Sequence, residues 1–155
     1  MRFLERHGSD ARGQNEPFAL WVSIPDPHTP YEAPHKYAEM FPPDQIPLPP
    51  WREGEMDHAP ERNKVIYQIL GVEDDATEDV RGAVAIYHAM VRFLDDAVAQ
   101  ILDALERLKL RENTIVVFCA DHGDFSGEHG MVSKGGLFYD CLTHIPMIVS
   151  CPRLM

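Results

Sequence analysis

The sequence predicts an α/β fold in which helices pack on a largely parallel or mixed β-sheet. Short apolar runs rich in β-branched and aromatic residues occur at residues 18–24, 114–119 and 147–150, as is typical of buried strands. A long helical pattern separates the first two runs. Because parallel neighbours need a crossover connection, the order strand, long helix, strand favours a largely parallel sheet with helices packed on it.

The size and charge of the chain limit the class of protein. Its 155 residues, 45% of them hydrophobic, are enough for one domain with a sizeable core. The formal net charge of −11 argues against nucleic acid or an anionic membrane surface as partner, since both would be repelled. An anionic substrate would therefore need a local cation. The 3 cysteines match no zinc or redox spacing, which predicts reduced core thiols.

The first residues resemble the last turns of a helix that Gly8 stops. No helix start precedes them, so we expect the chain to be an excerpt of a longer protein. It shows neither a secretory signal pattern nor an apolar run long enough to span a bilayer. Since the amino terminus looks internal, cytoplasmic and periplasmic locations both stay open.

A proline-rich region follows the first predicted strand. Residues 25–60 contain the pairs Pro42-Pro43 and Pro49-Pro50, which predict an extended surface loop around a short helix near residues 34–40. We expect this loop region to belong to the same domain as the rest of the chain, residues 1–155. The prolines limit its conformational freedom.

The longest predicted element is a helix over residues 77–109. Apolar residues recur there at spacings of three and four, and Thr77 is a plausible amino-terminal cap. Acids near the start and basic residues at the end, Lys109 among them, complement the helix dipole. Glu112-Asn113 then turns the chain into the second predicted strand.

The sequence Asp121-His122-Gly123, directly behind the second strand, is the first candidate site. Ligands of open α/β sheets bind beyond the carboxyl ends of strands, and a hard divalent cation accepts carboxylate and imidazole ligands. Two adjacent ligands do not complete a metal shell. The alternative is that Asp121 caps a turn and His122 is a surface histidine. Gly127 and Gly130 favour the first interpretation, because glycines permit the tight turns that bring side chains together.

Two further candidates are His28 and Lys134. His28 lies between prolines just after the first predicted strand, where a fixed imidazole can protonate a leaving group. Because His28 and Asp121 both follow predicted strands of one parallel sheet, we expect both at the same rim. Lys134 offers positive charge that could hold sulfate or phosphate. A solvated surface role is the alternative for each.

In their order along the chain, these motifs resemble those of the sulfatases of the alkaline phosphatase superfamily. The resemblance implies an alkaline phosphatase-like fold, incomplete in this chain. The segments that carry it are Phe18-Ala19-Leu20-Trp21-Val22, Pro27-His28-Thr29-Pro30-Tyr31, Leu94-Asp95-Asp96, Asn113-Thr114-Ile115-Val116-Val117-Phe118, Ala120-Asp121-His122-Gly123-Asp124, Gly127-Glu128-His129-Gly130, Lys134 and Ile145-Pro146.

The resemblance also implies roles for individual residues. Asp121 and His122 would bind a divalent cation, usually Ca²⁺ in the family, with Mg²⁺ or Mn²⁺ as alternatives. His28 would act on the leaving-group oxygen, and Lys134 would hold the sulfate. The implied reaction is hydrolysis of a small-molecule or carbohydrate sulfate ester by a formylglycine nucleophile.

Two parts of the family pattern are absent from the sequence. One is the Cys/Ser-x-Pro-x-Arg motif whose first residue becomes formylglycine; the other is an early Asp-Asp pair that supplies further metal ligands. Cys151-Pro152-Arg153 has the wrong spacing for the first. We therefore expect the isolated chain to be inactive, and marginally stable or prone to associate, with its oligomeric state open. The alternatives are a phosphonate or phosphodiester hydrolase of the same superfamily and a non-catalytic remnant that binds anions or partners.

Overall fold

The protein combines one long helix with four shorter helices and two small β-sheets, within the residues that its computed structural model describes: 2–9, 17–50, 54–72 and 76–153. The helices are α1 (Arg2–Ser9), α2 (His35–Ala38), α3 (Glu61–Leu70), α4 (Thr77–Arg107) and α5 (Asp140–Thr143). The strands are β1 (Val116–Cys119), β2 (Phe125–Ser126), β3 (Val132–Ser133) and β4 (Met147–Ser150). The predicted helices at the amino terminus, near residues 34–40 and from residue 77 onward are confirmed.

Helix α4 differs from its prediction only at its ends. Ala76, not Thr77, occupies the amino-terminal cap and no side chain caps the helix, so the predicted capping role of Thr77 is wrong. At the other end, Lys109 adopts the left-handed conformation at φ 56°. The amide of Leu110 donates to the carbonyl of Leu105 at 2.9 Å, and that of Lys109 donates to Glu106 at 2.9 Å. This paired hydrogen bonding is the usual way for a helix to end on a left-handed residue, with lysine here in place of glycine.

The strand pairing differs from the predicted one. Strands β1 and β4 lie where the sequence predicts strands, but they pair antiparallel, as do β2 and β3. Residues 18–24 form no helix and pair with no described strand, so the predicted first strand is wrong. Helix α4 was predicted to be the crossover from residues 18–24 to β1. Because residues 18–24 form no strand, the predicted pair of parallel strands does not form. The α/β class itself is confirmed.

Three buried apolar clusters hold the helices and loops together. The first joins α4 to the proline-rich region through Ile46, Val80 and Val84. The second packs Phe125 and Met131 with neighbours from the loops around α5 and from α3. The third places α1 on the last turns of α4. Since α4 contributes to the first and third clusters, burial of its apolar stripe fixes the segments on either side of it.

Large apolar side chains are also exposed. Trp21 is 85% exposed, and Met147 and Ile148 of β4 are exposed too. None of the described helices is both long and apolar enough to cross a membrane. The cysteines are free, with Cys151 buried and Cys119 exposed, so the prediction of core thiols is wrong for Cys119, which lies on the open face of β1.

A hydrogen bond from α2 to α4 orders the proline-rich region. The hydroxyl of buried Tyr37 donates to Asp96 Oδ2 at 2.8 Å. This bond first, and then the charge of Arg92, lowers the pKa of the Asp96 carboxyl. The ionised carboxylate is therefore the form that the fold favours.

Replacing Tyr37 with phenylalanine should raise the pKa of Asp96 towards its ordinary value. A carboxyl whose pKa is depressed in the folded state stabilises the protein at pH values above its unfolded pKa, and this stability is lost as the pH falls through the folded pKa. The variant should therefore be less stable than the wild type near pH 7, with a smaller difference in acid. Carbon-detected NMR titration of Asp96 and urea unfolding at both pH values measure this. An unchanged pKa would contradict the assigned cause.

Candidate functional site

The loop that leaves the carboxyl end of β1 presents Asp121 and His122 to solvent. The side chain of Asp121 is 91% exposed, and its Oδ1 accepts a hydrogen bond from the amide of His122 at 3.0 Å. His122 Nε2 lies 3.9 Å from Asp121 Oδ2. Backbone hydrogen bonding, followed by the charges of His122 and Lys134, lowers the pKa of Asp121. The two residues thus offer an ionised carboxylate and an imidazole side by side.

Gly123 lets this loop lie directly on the backbone of α5. Its amide donates to the carbonyl of Leu142 at 2.9 Å. A Cβ atom at this position would lie 2.0 Å from the carbonyl oxygen of Cys141, far inside van der Waals contact. Glycine is therefore required at position 123, because two backbones approach each other closely there. The contact with α5 fixes the position of the loop that bears Asp121 and His122.

Asp124, the next acid in the loop, is buried at 9% exposure. One oxygen, Oδ2, accepts a hydrogen bond from the hydroxyl of Tyr31 at 3.2 Å. The other, Oδ1, lies 3.4 Å from Lys134 Nζ and accepts no hydrogen bond from any residue that the structure describes. A buried carboxylate needs such compensation, because removal from water disfavours its charge. The lysine predicted to hold an anion is thus paired with a buried acid.

Tyr31 brings the proline-rich region into the site. Its ring packs edge-on against Tyr87 of α4, with the ring centroids 5.7 Å apart. Burial first, and then the charge of Asp124, raises the pKa of Tyr31 well above its ordinary value. The same two causes raise the pKa of Tyr87. Tyr31 therefore stays protonated and able to donate a hydrogen bond to Asp124 near neutral pH.

His28 stands three residues before Tyr31, in a turn closed by its own amide, which bonds the carbonyl of Pro25 at 3.0 Å. Its ring Nδ1 contacts the carbonyl oxygen of Thr29, and the residue is exposed. The expectation that His28 and Asp121 share the rim of a parallel sheet is wrong, because residues 18–24 form no strand. The hydrogen bond between Tyr31 and Asp124 is what connects the two loops.

Glu128 and His129 make structural contacts. Glu128 accepts a hydrogen bond from the backbone amide of Ser126. His129 pairs with Glu55, and its ring lies against that of Tyr139 with the centroids 4.2 Å apart. These contacts hold the turn between β2 and β3 in place.

The donor set at the loop fits a hard divalent cation in part. Asp121 and His122 supply the oxygen and nitrogen that such a cation accepts. Within the described ranges, no group of three or more histidine, cysteine, aspartate or glutamate side chains could hold a metal ion. These two residues are therefore candidate ligands, and a complete shell would need further donors.

Sequence reasoning missed the two residues that support Lys134. Asp124 was treated as part of the loop, and Tyr31 as part of a motif without a chemical role. One available signal was the position of Asp124 immediately before buried Phe125 of β2, since an acid at the entrance to a buried strand needs a partner. No sequence pattern identified Tyr31 as that partner, because 93 residues separate the two.

Comparison with known proteins identifies the family of the chain and agrees with its fold class. The sulfatase family matches residues 3–154, and the chain belongs to this family. An uncharacterized sulfatase of Escherichia coli, YidJ, is 32% identical over 90% of this chain and 27% of its own length. The choline-sulfatase of Rhizobium meliloti is 28% identical over 97% of this chain and 29% of its own. Sulfatases are sulfuric ester hydrolases, and the family uses a divalent cation and formylglycine.

A solved structure shows the same fold. The phosphonate monoester hydrolase of Agrobacterium radiobacter superposes on 97% of this chain with a TM-score of 0.82 at 27% identity. The match covers 31% of that enzyme. This chain therefore spans under a third of the length of these relatives, and its fold is that of the sulfatase and phosphonate hydrolase group.

Replacing Gly123 with alanine should destabilise the protein by about 2 kcal/mol or more, because the added methyl group meets backbone that cannot move aside cheaply. Gly82 is the matched control. Gly82 lies inside α4. Apart from the backbone of the helix itself, no atom lies within 4 Å of the position that a Cβ would take, so alanine there should stabilise by about 0.5–1 kcal/mol. Urea unfolding of both variants provides the test. Equal effects of the two substitutions would refute the close approach at Gly123.

Proposed function

We propose that the protein carrying this chain hydrolyses sulfate esters, and that this chain supplies the part of the site that holds the sulfate and the leaving group. The observation that carries the proposal is the position of Lys134, held by a buried carboxylate beside the Asp121-His122 loop. Membership of the sulfatase family and the names of its relatives support it.

Lys134 is suited to hold an anionic group in an acidic protein. Its side chain is 21% exposed, so its ammonium group is partly shielded from water while still accessible. At a formal net charge of −11 the protein as a whole repels anions, and a fixed local cation offsets this. Lys134 would bind the sulfate oxygens and stabilise the negative charge that develops on them.

Asp121 and His122 would hold the divalent cation, for which we propose Ca²⁺. Oxygen-rich ligation of an exposed carboxylate suits a hard cation, and the lowered pKa of Asp121 keeps that carboxylate ionised. Such a cation supplies Lewis-acid polarisation of the sulfate oxygens. Further ligands and the formylglycine nucleophile would come from residues other than those of this chain.

His28 would protonate the departing alcohol. The turn between Pro25 and His28 restricts the backbone, and the contact of Nδ1 with the Thr29 carbonyl sets the ring orientation. An imidazole held in this way can act as a general acid. Tyr31 ties the same turn to the loop that bears Asp124.

A second candidate function is hydrolysis of phosphonate monoesters. The superposition on the phosphonate monoester hydrolase, with its TM-score of 0.82, favours it. Sulfate and phosphonate monoesters both present anionic oxygens that a lysine and a divalent cation can bind. Relative kcat/KM on an aryl sulfate and an aryl phosphonate, measured with an active protein that contains this segment, separates the two functions.

The 155-residue chain alone should show no turnover of an aryl sulfate, because it contains no Cys/Ser-x-Pro-x-Arg motif from which formylglycine could form.

In an active protein containing the segment, His28→Ala should lower kcat/KM about 10²- to 10⁴-fold for esters of poorly acidic alcohols. The loss should be smaller for p-nitrophenyl sulfate, whose leaving group needs little protonation. Equal losses on both substrates would refute the acid role, and turnover by the chain alone would refute the assignment of the nucleophile.

Calcium should bind the isolated chain weakly, with a Kd of about 1 mM or higher, because a calcium ion requires six to eight oxygen ligands and this loop provides two residues. Isothermal titration calorimetry and the amide shifts of His122 measure the binding. Asp121→Asn is the control, and it should abolish what binding there is. A micromolar Kd in the wild-type chain would show that the ligand set is more complete than proposed.

A further inference from the structure

The Asp124 carboxylate is buried inside the fold and does not lie on its surface. Its side chain is 5% exposed, and Phe125 directly behind it belongs to a buried apolar cluster. Leaving a buried carboxylate without a cationic partner is costly, so Lys134 is the group that makes its burial tolerable. The converse also holds, because the fixed acid determines where the lysine ammonium lies.

This pairing leaves Lys134 capacity for a ligand. A lysine ammonium has three N–H donors, and Asp124 Oδ1 at 3.4 Å faces only one side of it. A free lysine side chain samples many rotamers, and fixing one costs up to about 2 kcal/mol of conformational entropy. Where Asp124 has already fixed the rotamer, an arriving anion does not have to meet that cost.

Tyr31 controls the orientation of the carboxylate. Its hydroxyl holds Oδ2, which turns Oδ1 towards Lys134. The Tyr31 ring is itself held by Tyr87 on α4. Since Tyr31 follows His28 by three residues, one short chain of contacts runs from the turn of the proposed acid, through Asp124, to the proposed anion-binding lysine.

We propose that Asp124 and Tyr31 are positioning residues that fix Lys134 for an anionic substrate and set the His28 turn relative to it. This rests on the proposed function for the identity of the anion, whereas the fixing of Lys134 can be tested without any activity. Neither residue touches the substrate. Asp124 acts through Lys134, and Tyr31 acts through Asp124 and through the turn to which it belongs.

The first test is NMR of the 155-residue chain with ¹³Cε-labelled lysine, which gives four signals, from Lys36, Lys64, Lys109 and Lys134. In the wild type the Lys134 signal should relax as a restricted side chain, unlike that of exposed Lys109. Asp124→Asn should increase its mobility to the level of Lys109, and Tyr31→Phe should do so in part. Asp95→Asn and Tyr67→Phe are matched controls outside the site and should leave the signal unchanged. A Lys134 signal that is mobile in the wild type, or unaffected by Asp124→Asn, would overturn the proposal.

The second test is a double-mutant cycle in an active protein containing the segment. Asp124→Asn should lower kcat/KM for an aryl sulfate about 10- to 100-fold and weaken inhibition by inorganic sulfate by a similar factor, because the buried ion pair that fixes the Lys134 ammonium is lost. Asp124→Asn should add little to the loss in the Lys134→Ala background, since Asp124 acts through Lys134. Independent, multiplying losses would overturn the positioning role. Restricted Lys134 motion without any sulfatase activity would instead refute the proposed function and leave the positioning intact.

Discussion

Burial of the Asp124 carboxylate constrains the whole arrangement around the site. An acid at 9% exposure requires compensation, and the fold provides it from two distant segments, the hydroxyl of Tyr31 and the ammonium of Lys134. Those contacts in turn depend on α4, because Tyr87 on that helix supports the Tyr31 ring. The long helix, the proline-rich region and the Asp121 loop are therefore held in one geometry by a polar centre as well as by apolar packing.

The distribution of charge is compatible with the proposed anion site on an acidic chain. Most of the acids lie on the surface, where water screens them, and the lysine that matters is partly shielded and paired. Glycine has a matching role in the backbone, since Gly123 brings the loop against Cys141 at a distance that no side chain would allow. The exposed candidate ligands Asp121 and His122 thus lie next to a closely packed backbone contact.

The described residues leave apolar surface exposed, and the chain is much shorter than the relatives it matches. Strands β1 and β4 form a two-stranded sheet, with Val117 and Ile148 exposed on it. Residues 18–24 form no helix or strand and bear an exposed Trp21, which is unusual for an apolar segment of a folded domain. The relatives that this chain matches are more than three times its length. Strand propensity predicts β1 and β4 correctly. It is wrong for residues 18–24, because a strand exists only where a neighbour completes its hydrogen bonds.

The sequence by itself determined the elements whose cause is local. Short stretches of sequence are enough to predict these elements. They are the apolar periodicity of α4, the strands 116–119 and 147–150, and the family motifs around Asp121 and Lys134. The tertiary structure decided what depends on distant partners: the antiparallel pairing of β1 with β4, the close contact at Gly123 and the burial of Asp124 between Tyr31 and Lys134. Local pattern sets which way a segment can fold, whereas the compensation of a buried charge depends on residues that only the folded chain brings together.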